Sequence, residues 1–400
     1  MTAVDGEGAD GTPGEVFSVF LKLGLTSFGG PIAHLGYFRD ELVMRRRWLD
    51  DRAYADLVAL CQFLPGPASS QVGFALGLMR AGWAGALAAF AAFTLPSAIL
   101  LVLFASAASA LSGPVGEGAI AGLKIAAVAV VAQAVCGMAR SLCPDGPRAG
   151  IAVLSVAILA VAPGAIGMIA AIALGAALGL MLPPGETRSG GRLPIPLARR
   201  TGVLSLLAFF VLLAVLPLLA GHGQALAILD AFYRAGSLVF GGGHVVLPLL
   251  EAETVRTGWV DEGTFLAGYA AAQAVPGPLF TFAAYLGAVL GPWPNGIVGA
   301  TLALSAIFLP GFLLLVGCLP FWERFRRQAG AQSLMRGANA AVVGILGAAL
   351  YSPVFTSAVA DERDFALAVA GFVALVVWEA PPWVVVAFGA VGGVALALAG

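Results

Sequence analysis

The sequence predicts an all-α polytopic membrane protein built from two inverted repeats with broken or re-entrant helices. Three observations predict this fold: the scarcity of charge, a set of motifs that occurs twice, and glycine and proline interruptions inside apolar runs. Of the 400 residues, 60% are hydrophobic and 11% are charged, whereas a soluble domain carries about 25% charged residues. The chain has room for roughly a dozen spans of about 20 residues. The net charge of −1 gives no basic field that would indicate a nucleic-acid partner.

The apolar runs divide the chain into two units. Residues 1–15 are polar, acidic and rich in glycine, which predicts a disordered N-terminal tail and not a cleaved signal. The first repeat is expected at 16–182 and the second at 225–400, with a polar linker and a connecting transmembrane helix at 183–224. The apolar runs fall at 16–38, 53–79, 83–110, 118–139, 149–182, 201–220, 225–248, 264–290, 296–319, 337–355, 365–379 and 382–399.

An internal duplication relates the two units. Phe28-Gly29-Gly30 recurs as Phe240-Gly241-Gly242, and the residues around these glycines agree as well. The other matching pairs are Lys22 with Arg234, Trp48 with Trp259, Gln62 with Gln273, Pro65-Gly66-Pro67 with Pro276-Gly277-Pro278, and Leu95-Pro96 with Leu309-Pro310. The nearly constant offset between the members of these pairs excludes chance composition.

The charge of two equivalent loops predicts that the repeats are inverted. Loop 39–52 contains five arginines, whereas its counterpart 251–262 contains one arginine among four carboxylates. Under the positive-inside rule, the first loop lies in the cytoplasm together with the N-terminus, and the second lies outside.

The glycine and proline breaks decide how many times the chain crosses the membrane. If each break turns the chain back as a hairpin, the sequence gives about nine full spans and four broken segments. The alternative treats every run as a full span, which gives thirteen but places the arginines of loop 39–52 outside. Inverted repeats with interrupted helices are typical of secondary transporters, which bind substrate near the midplane at the interruptions.

The breaks also supply the predicted substrate site. A half-helix N-terminus offers free backbone N–H groups and the positive end of the helix dipole, and both favour an anion. The predicted binding residues at the breaks are Ser27, Gly29, Gly30, Pro31, Gln62, Pro65, Gly66, Pro67, Ser69, Ser70, Gly241, Gly242, Gly243, Gln273, Pro276, Gly277 and Pro278. The alternative is that these glycines and prolines only kink transmembrane helices.

Cations inside apolar runs extend the predicted site. Lys22 and Arg234 occupy equivalent positions, and together they would neutralise a divalent anion from two sides; Lys124 lies within a third run. A cation in a membrane is costly and usually marks a pathway, although snorkelling to a headgroup is the alternative for Lys22.

Proton coupling needs groups that titrate, and few lie near the breaks. Histidine changes its charge near physiological pH, and carboxylates beside the broken segments are the other possible carriers. The candidates are His34, Asp56, Asp230 and His244. The four cysteines are interpreted as packing residues, and neither a metal site nor a cofactor is expected.

Taken together, the motifs at 20–31, 62–67, 240–244 and 276–278 resemble the chromate ion transporter family in its long, two-domain type. The resemblance covers essentially the whole chain beyond the tail. It implies efflux of chromate, a structural analogue of sulfate, across the inner membrane of a bacterium, which confers chromate resistance. It also implicates the glycine and proline motifs and the basic residues near them. Gly243 stands where the first repeat has Pro31, so the two sites need not be equivalent.

The mechanism expected from these observations is alternating access about a midplane oxyanion site, with the protein acting as an antiporter driven by the proton motive force. No GxxxxGK[ST] phosphate loop indicates hydrolytic energy. The alternatives are an inward carrier for sulfate or another oxyanion, an anion channel, and an intramembrane enzyme acting on lipid phosphates, which lacks support because no HExxH or GxSxG is present. The expected partners are the oxyanion and the bilayer, with no nucleic acid; the oligomeric state is open, a homodimer being one option.

Overall fold

The computed structural model describes residues 11–28, 30–108, 113–182, 193, 197–240, 243–322 and 328–399, and these residues form helices joined by short loops, with no strand among them. The first repeat contains α1 (Pro13–Thr26), α2 (Gly30–Phe38), α3 (Asp51–Phe63), α4 (Ala68–Ala108), α5 (Gly113–Leu142), α6 (Gly146–Val161) and α7 (Ala165–Gly179). After the connecting helix α8 (Arg199–Leu219), the second repeat contains α9 (Gln224–Ser237), α10 (Val246–Thr254), α11 (Glu262–Ala274), α12 (Phe282–Val289), α13 (Gly296–Cys318), α14 (Ala329–Ala349), α15 (Glu362–Val376) and α16 (Pro382–Ala399).

Side-chain caps fix where several helices begin. Asp50 accepts hydrogen bonds from the backbone N–H groups at the start of α3, and Asp261 does the same for α11. The recurring Trp-x-Asp triplet therefore encodes a helix N-cap in both repeats. Thr12 caps α1, so Glu15, which we assigned to the tail, lies in the first helical turn.

The first Gly-Pro break turns the chain back on itself. Helix α1 begins at Pro13 and ends at Thr26, just before the break. After the break, α2 runs back and continues into a π-helical turn, Arg39–Arg45. The Nζ of Lys22 lies 3.2 Å from a carboxylate oxygen of Glu41, and Arg46 lies 3.8 Å from Glu15. The segment therefore enters and leaves at the same end of the molecule, as a re-entrant hairpin.

The second break produces another hairpin at the same end. The chain turns between α3 and α4, and Arg80 lies 3.2 Å from Glu15. The helical dihedral angles of α4 are interrupted at Ala81 and Gly82, which divide it into α4a (68–80) and α4b (83–108). We call the end defined by Glu15, Arg46 and Arg80 the first mouth.

The second repeat contains the same two hairpins. Arg234 on α9 lies 3.0 Å from Glu253 on α10, and the backbone N–H of Gly291 after α12 donates to the carbonyl of Trp259 before α11 at 2.9 Å. We call the end defined by Trp259, Asp261 and Gly291 the second mouth.

The two mouths lie at opposite ends of a membrane-length helix. Arg80, just before α4b, contacts Glu15, whereas Val102 near the other end of α4b lines a cavity of about 750 Å³ together with Trp259 and Asp261. The hairpins therefore enter from opposite sides, which agrees with inverted repeats. The thirteen-span alternative is wrong for the first repeat, because segments 13–46 and 51–80 both enter and leave at the first mouth.

Long apolar helices make up much of the described chain. Five helices of the described chain are long and apolar enough to cross a membrane, namely α4, α5, α8, α13 and α14, the last including the turns that follow it. The predicted fold class, an all-α polytopic membrane protein, is confirmed.

The repeats exchange their terminal helices. In the first repeat, α6 and α7 pack on α14, and in the second, α15 and α16 pack on α5. Glycines make these contacts close: Gly122 on α5 faces Gly389 on α16, and Gly179 on α7 faces Gly337 on α14, with no room for a Cβ on either side. Small residues let membrane helices approach closely in this way.

Candidate functional site

The breaks of the two repeats meet in one place and bond to each other. The backbone N–H of Gly66 donates to the carbonyl of Val239 at 2.8 Å, and that of Gly277 donates to the carbonyl of Ser27 at 3.0 Å. These two bonds are equivalent, because Ser27 and Val239 occupy matching positions in the repeats. Gly66 and Gly277 have φ of +122° and +106°, a region that favours glycine. We call the meeting of the breaks the central crossing.

Equivalent residues also touch each other at the central crossing. A Cβ on Gly243 would lie 3.3 Å from the Cγ of Pro31. Contact between equivalent positions places both beside the axis that relates the repeats. The first repeat supplies a ring there, and the second supplies the space that the ring needs, which accounts for the departure of Gly243 from the motif.

The first repeat brings unpaired polar groups to the crossing. Ser69 and Ser70 lie in the first turn of α4, and both are buried, as is Ser27. Among the described residues, the hydroxyls of Ser27 and Ser70 have no hydrogen-bond partner. Backbone N–H groups in a first helical turn also lack intrahelical partners. Buried groups of this kind are usually bonded, so the crossing offers donors that a ligand would satisfy.

Three polar residues that the first repeat brings to the site were not predicted from the sequence. Gln71 donates through Nε2 to the carbonyls of Pro65 at 3.1 Å and Gly311 at 2.8 Å, and thereby links the two repeats. Thr94, like Gln71, is buried with an unpartnered oxygen, and Ser97 is buried nearby on α4b. Their presence inside long apolar runs is the signal that could have revealed them.

The second repeat is less polar at the equivalent positions. Phe280 and Phe282 stand where the first repeat has Ser69 and Gln71. The hydroxyl of Thr281 donates to the carbonyl of Pro278 at 2.8 Å. At these three positions, an unpaired buried hydroxyl therefore occurs in the first repeat and not in the second.

The two candidate histidines each contact another polar residue of the site. The Nδ1 of His34 lies 3.4 Å from the hydroxyl of Ser69. The Nδ1 of His244 lies 2.8 Å from the hydroxyl of Tyr269 and 3.4 Å from the amide of Gln273. Tyr269 was not predicted.

Lys22 and Arg234 are each held by carboxylates of their own repeat. Lys22 pairs with Glu41, and Arg234 pairs with Asp230 at 2.7 Å and with Glu253 at 3.0 Å. Glu41 and Glu253 are equivalent positions, so the ion pair itself is duplicated. The structure therefore does not present the two cations as free charges that converge on one anion.

The remaining predicted residues lie away from these contacts or outside the part of the chain that the structure describes. Lys124 lies against Gly263 at the start of α11, near the second mouth and away from the crossing. Gln62 is exposed, and Asp56 is buried on α3. Three predicted residues lie outside the described part of the chain: Gly29, Gly241 and Gly242. Within that part, no group of three or more His, Cys, Asp or Glu side chains could hold a metal ion.

An ion pair within loop 39–52 lies outside the apolar runs. Arg39 donates to Asp51 at 2.6 Å. The ion pair ties the segment after α2 to the start of α3, and the hydrogen bond from Arg39 lowers the pKa of Asp51.

Comparisons with known proteins agree with this architecture. A family model described as chromate transporter matches residues 14–180 and 226–394, one segment in each repeat. The chain is 28% identical to a chromate transport protein of Pseudomonas aeruginosa over 339 residues, which cover 84% of this chain and 79% of that protein. It is 27% identical to a probable chromate transport protein of Synechococcus elongatus, covering 83% of this chain and 82% of the relative.

A third relative is the chromate transport protein of Cupriavidus metallidurans, which is 26% identical over 338 residues, covering 83% of this chain and 80% of that protein. No solved structure matches this chain. Because the family model covers both repeats and most of the sequence, this chain belongs to the chromate transporter family.

Proposed function

We propose that this protein exports chromate across the inner membrane of a bacterium by alternating access, in exchange for protons, and thereby confers chromate resistance. The substrate is suggested by the names of its relatives. The observation that carries the proposal is the central crossing, where breaks from two oppositely directed repeats bond to each other.

The chemistry of the crossing suits a tetrahedral oxyanion. Such an ion accepts several hydrogen bonds, and bonds from donors to charged acceptors are stronger than neutral ones. The hydroxyls of Ser27 and Ser70 are buried without partners, and the start of α4 adds backbone N–H groups and the positive end of a helix dipole. The substrate would bind at this point, between the two mouths.

Alternating access follows from the inverted hairpins. If the hairpins of one repeat move against those of the other, the crossing opens first to one mouth and then to the second. Outward movement of an anion is favoured by the inside-negative potential, by about 2.3 kcal/mol per charge per 100 mV. His34 contacts Ser69, so a change in its protonation would alter a donor at the substrate site.

The proposal is tested by chromate flux into proteoliposomes with and without an imposed pH gradient, with excess sulfate as competitor. We expect flux that the gradient accelerates and that sulfate inhibits weakly. Ser70→Ala removes an unpaired donor, and we expect a decrease in chromate flux of about tenfold, the size of one lost hydrogen bond to a charged group.

The matched control is Ser205→Ala, because Ser205 is also buried and its hydroxyl donates to Leu313 between α8 and α13. This variant should transport normally. Flux that ignores the pH gradient would contradict the coupling, and equal flux in the two serine variants would contradict the site. Faster transport of sulfate than of chromate would show that sulfate, and not chromate, is the preferred substrate.

A further inference from the structure

Two equivalent clusters of ion pairs lie on the first hairpins of the two repeats, and their charge balance is opposite. The Glu41 cluster consists of Glu41 with Lys22, Arg45 and Arg46. The Arg234 cluster consists of Arg234 with Asp230 and Glu253. They occupy the same place in the two repeats, because Lys22 matches Arg234 and Glu41 matches Glu253.

In the Glu41 cluster, three cations surround a single carboxylate. The side chain of Glu41 is 10% exposed, whereas those of Lys22 and Arg45 are 57% and 64% exposed. The carboxylate therefore lies beneath cations whose outer N–H groups face the surface. Arg46 also lies 3.8 Å from Glu15 at the first mouth, and Glu15 pairs with Arg80, so this extension adds no net charge and leaves the excess of positive charge in place.

In the Arg234 cluster, one cation lies between two carboxylates. The side chain of Arg234 is 31% exposed, and those of Asp230 and Glu253 are 9% and 12% exposed. Close by on the same hairpin, Glu251 pairs with Arg256 at 3.3 Å, which adds no net charge. This side of the crossing therefore has an excess of negative charge.

We infer that the Glu41 cluster is a loading site for the oxyanion at the first mouth, and that the Arg234 cluster disfavours the same ion at the second mouth. The inference rests on the proposed function and adds to it the side from which the substrate is taken. Exposed N–H groups of Lys22 and Arg45 would bind the ion before it reaches the crossing.

The physical basis is the local concentration of the substrate. A surface of one charge raises the concentration of the opposite ion and the rate at which it arrives, and salt weakens the effect. A divalent oxyanion responds twice as strongly as a monovalent one, because its interaction energy scales with its charge. Because the local charge is positive at the first mouth and negative at the second, the oxyanion enters preferentially at the first mouth and is released at the second.

Glu41 acts in this cluster as a positioning residue. Three cations on one hairpin repel each other, and charge-assisted hydrogen bonds from Lys22, Arg45 and Arg46 to one buried carboxylate hold them in a fixed arrangement. Each cation bonds to Glu41 through only some of its N–H groups, so the remaining N–H groups on its outer side are free to bind another acceptor.

The experiment measures the KM for chromate from each side, with inside-out and right-side-out membrane vesicles containing the full chain. For the unmodified protein, we expect a lower KM from the first mouth than from the second. Arg45→Gln should raise the KM from the first mouth about fivefold, with no change from the second, and this difference should shrink as the salt concentration rises.

Two further variants complete the experiment. Arg148→Gln is the control, because Arg148 pairs with Asp145 in the loop between α5 and α6, outside the hairpins; its KM should not change. Glu253→Gln should lower the KM from the second mouth, and size-exclusion chromatography of the purified variant shows whether it is folded.

The outcomes separate this inference from the proposed function. Chromate flux with the same KM from both sides, or equal KM values for Arg45→Gln and Arg148→Gln, would overturn the loading site and leave chromate transport standing. Absence of chromate flux from either side in the unmodified protein would overturn the proposed function itself.

Discussion

Gln71 joins the two repeats through one side-chain amide, and its replacement tests how firmly the central crossing is held. In Gln71→Leu, the carbonyls of Pro65 and Gly311 each lose the hydrogen bond from this amide, but the carbonyl of Gly311 lies within α13 and keeps its place in the helical hydrogen bonding. We expect a loss of stability of about 1 to 3 kcal/mol, which is the cost of leaving the carbonyl of Pro65 without a partner. The apparent melting temperature of the purified protein in detergent measures this loss.

The control for this prediction is Gln62→Leu, since Gln62 is exposed at the end of α3. Its melting temperature should stay close to that of the unmodified protein. Similar melting temperatures for the two variants would show that the amide of Gln71 does not stabilise the crossing.

Sequence reasoning at the residue scale found the duplicated cations but not their partners. Lys22 and Arg234 stand out because they lie inside apolar runs and match each other. Glu41 and Glu253 match as well, but they lie in segments whose charge we interpreted only as an orientation signal. Because a hairpin brings residues 22 and 41 together, the pairing becomes visible only once the chain reversal is known.

At the scale of the helix, the close contact between α5 and α16 depends on glycines, which have no side chain to keep the two helices apart. A Cβ on Gly122 has no room against Gly389, so Gly122→Ala should force α5 and α16 apart and cost roughly 1 to 3 kcal/mol, as overpacking usually does. We expect a lower yield of folded protein in the membrane and a lower apparent melting temperature.

Gly137 on the same helix provides the comparison, because nothing lies within 4 Å of the place a Cβ would occupy. Gly137→Ala should leave the yield unchanged. If both substitutions reduce the yield equally, the effect comes from the helix itself and not from the contact with α16.

Sequence reasoning at the element scale predicted the broken helices well and their details less well. The glycine and proline motifs correctly predicted where α1, α3, α9 and α11 end. The gap between the apolar runs 53–79 and 83–110 predicted a separation at Ala81 and Gly82, the turn that divides α4a from α4b. In the structure this turn lets Gly77 and Gly85 pack face to face, a contact that no local pattern encodes.

For the whole molecule, the inverted arrangement predicts which loops are reached from outside the cell. Single cysteines replace Met44 and Thr257, which are both exposed, in a chain whose four native cysteines are changed to serine or alanine. We expect a membrane-impermeant maleimide to label intact cells only at position 257, because the positive-inside rule places the first mouth in the cytoplasm.

Permeabilised cells are the control for this labelling, since both positions should then react. Labelling of position 44 in intact cells would reverse the assigned orientation, and labelling of both positions would contradict the opposed hairpins.

The exchange of terminal helices was the part of the fold least accessible from the sequence. The duplication predicts that each repeat has the same helices, but it does not say whether α15 and α16 pack on their own repeat or on α5 of the other. That choice depends on the fit between particular surfaces, here Gly122 against Gly389 and Gly179 against Gly337. Equivalent glycines in both repeats are compatible with either arrangement.

This exchange has a consequence for how the protein is made. Helix α5 ends at Leu142, whereas its partner α16 ends at Ala399. At a synthesis rate of about 5 to 20 residues per second, α16 leaves the ribosome tens of seconds after α5, which lies in the bilayer without α16 until then. During that interval its glycine face has only lipid or insertion factors beside it. A ribosome that stalls after α14 therefore leaves a chain that quality-control proteases can recognise by that uncovered face.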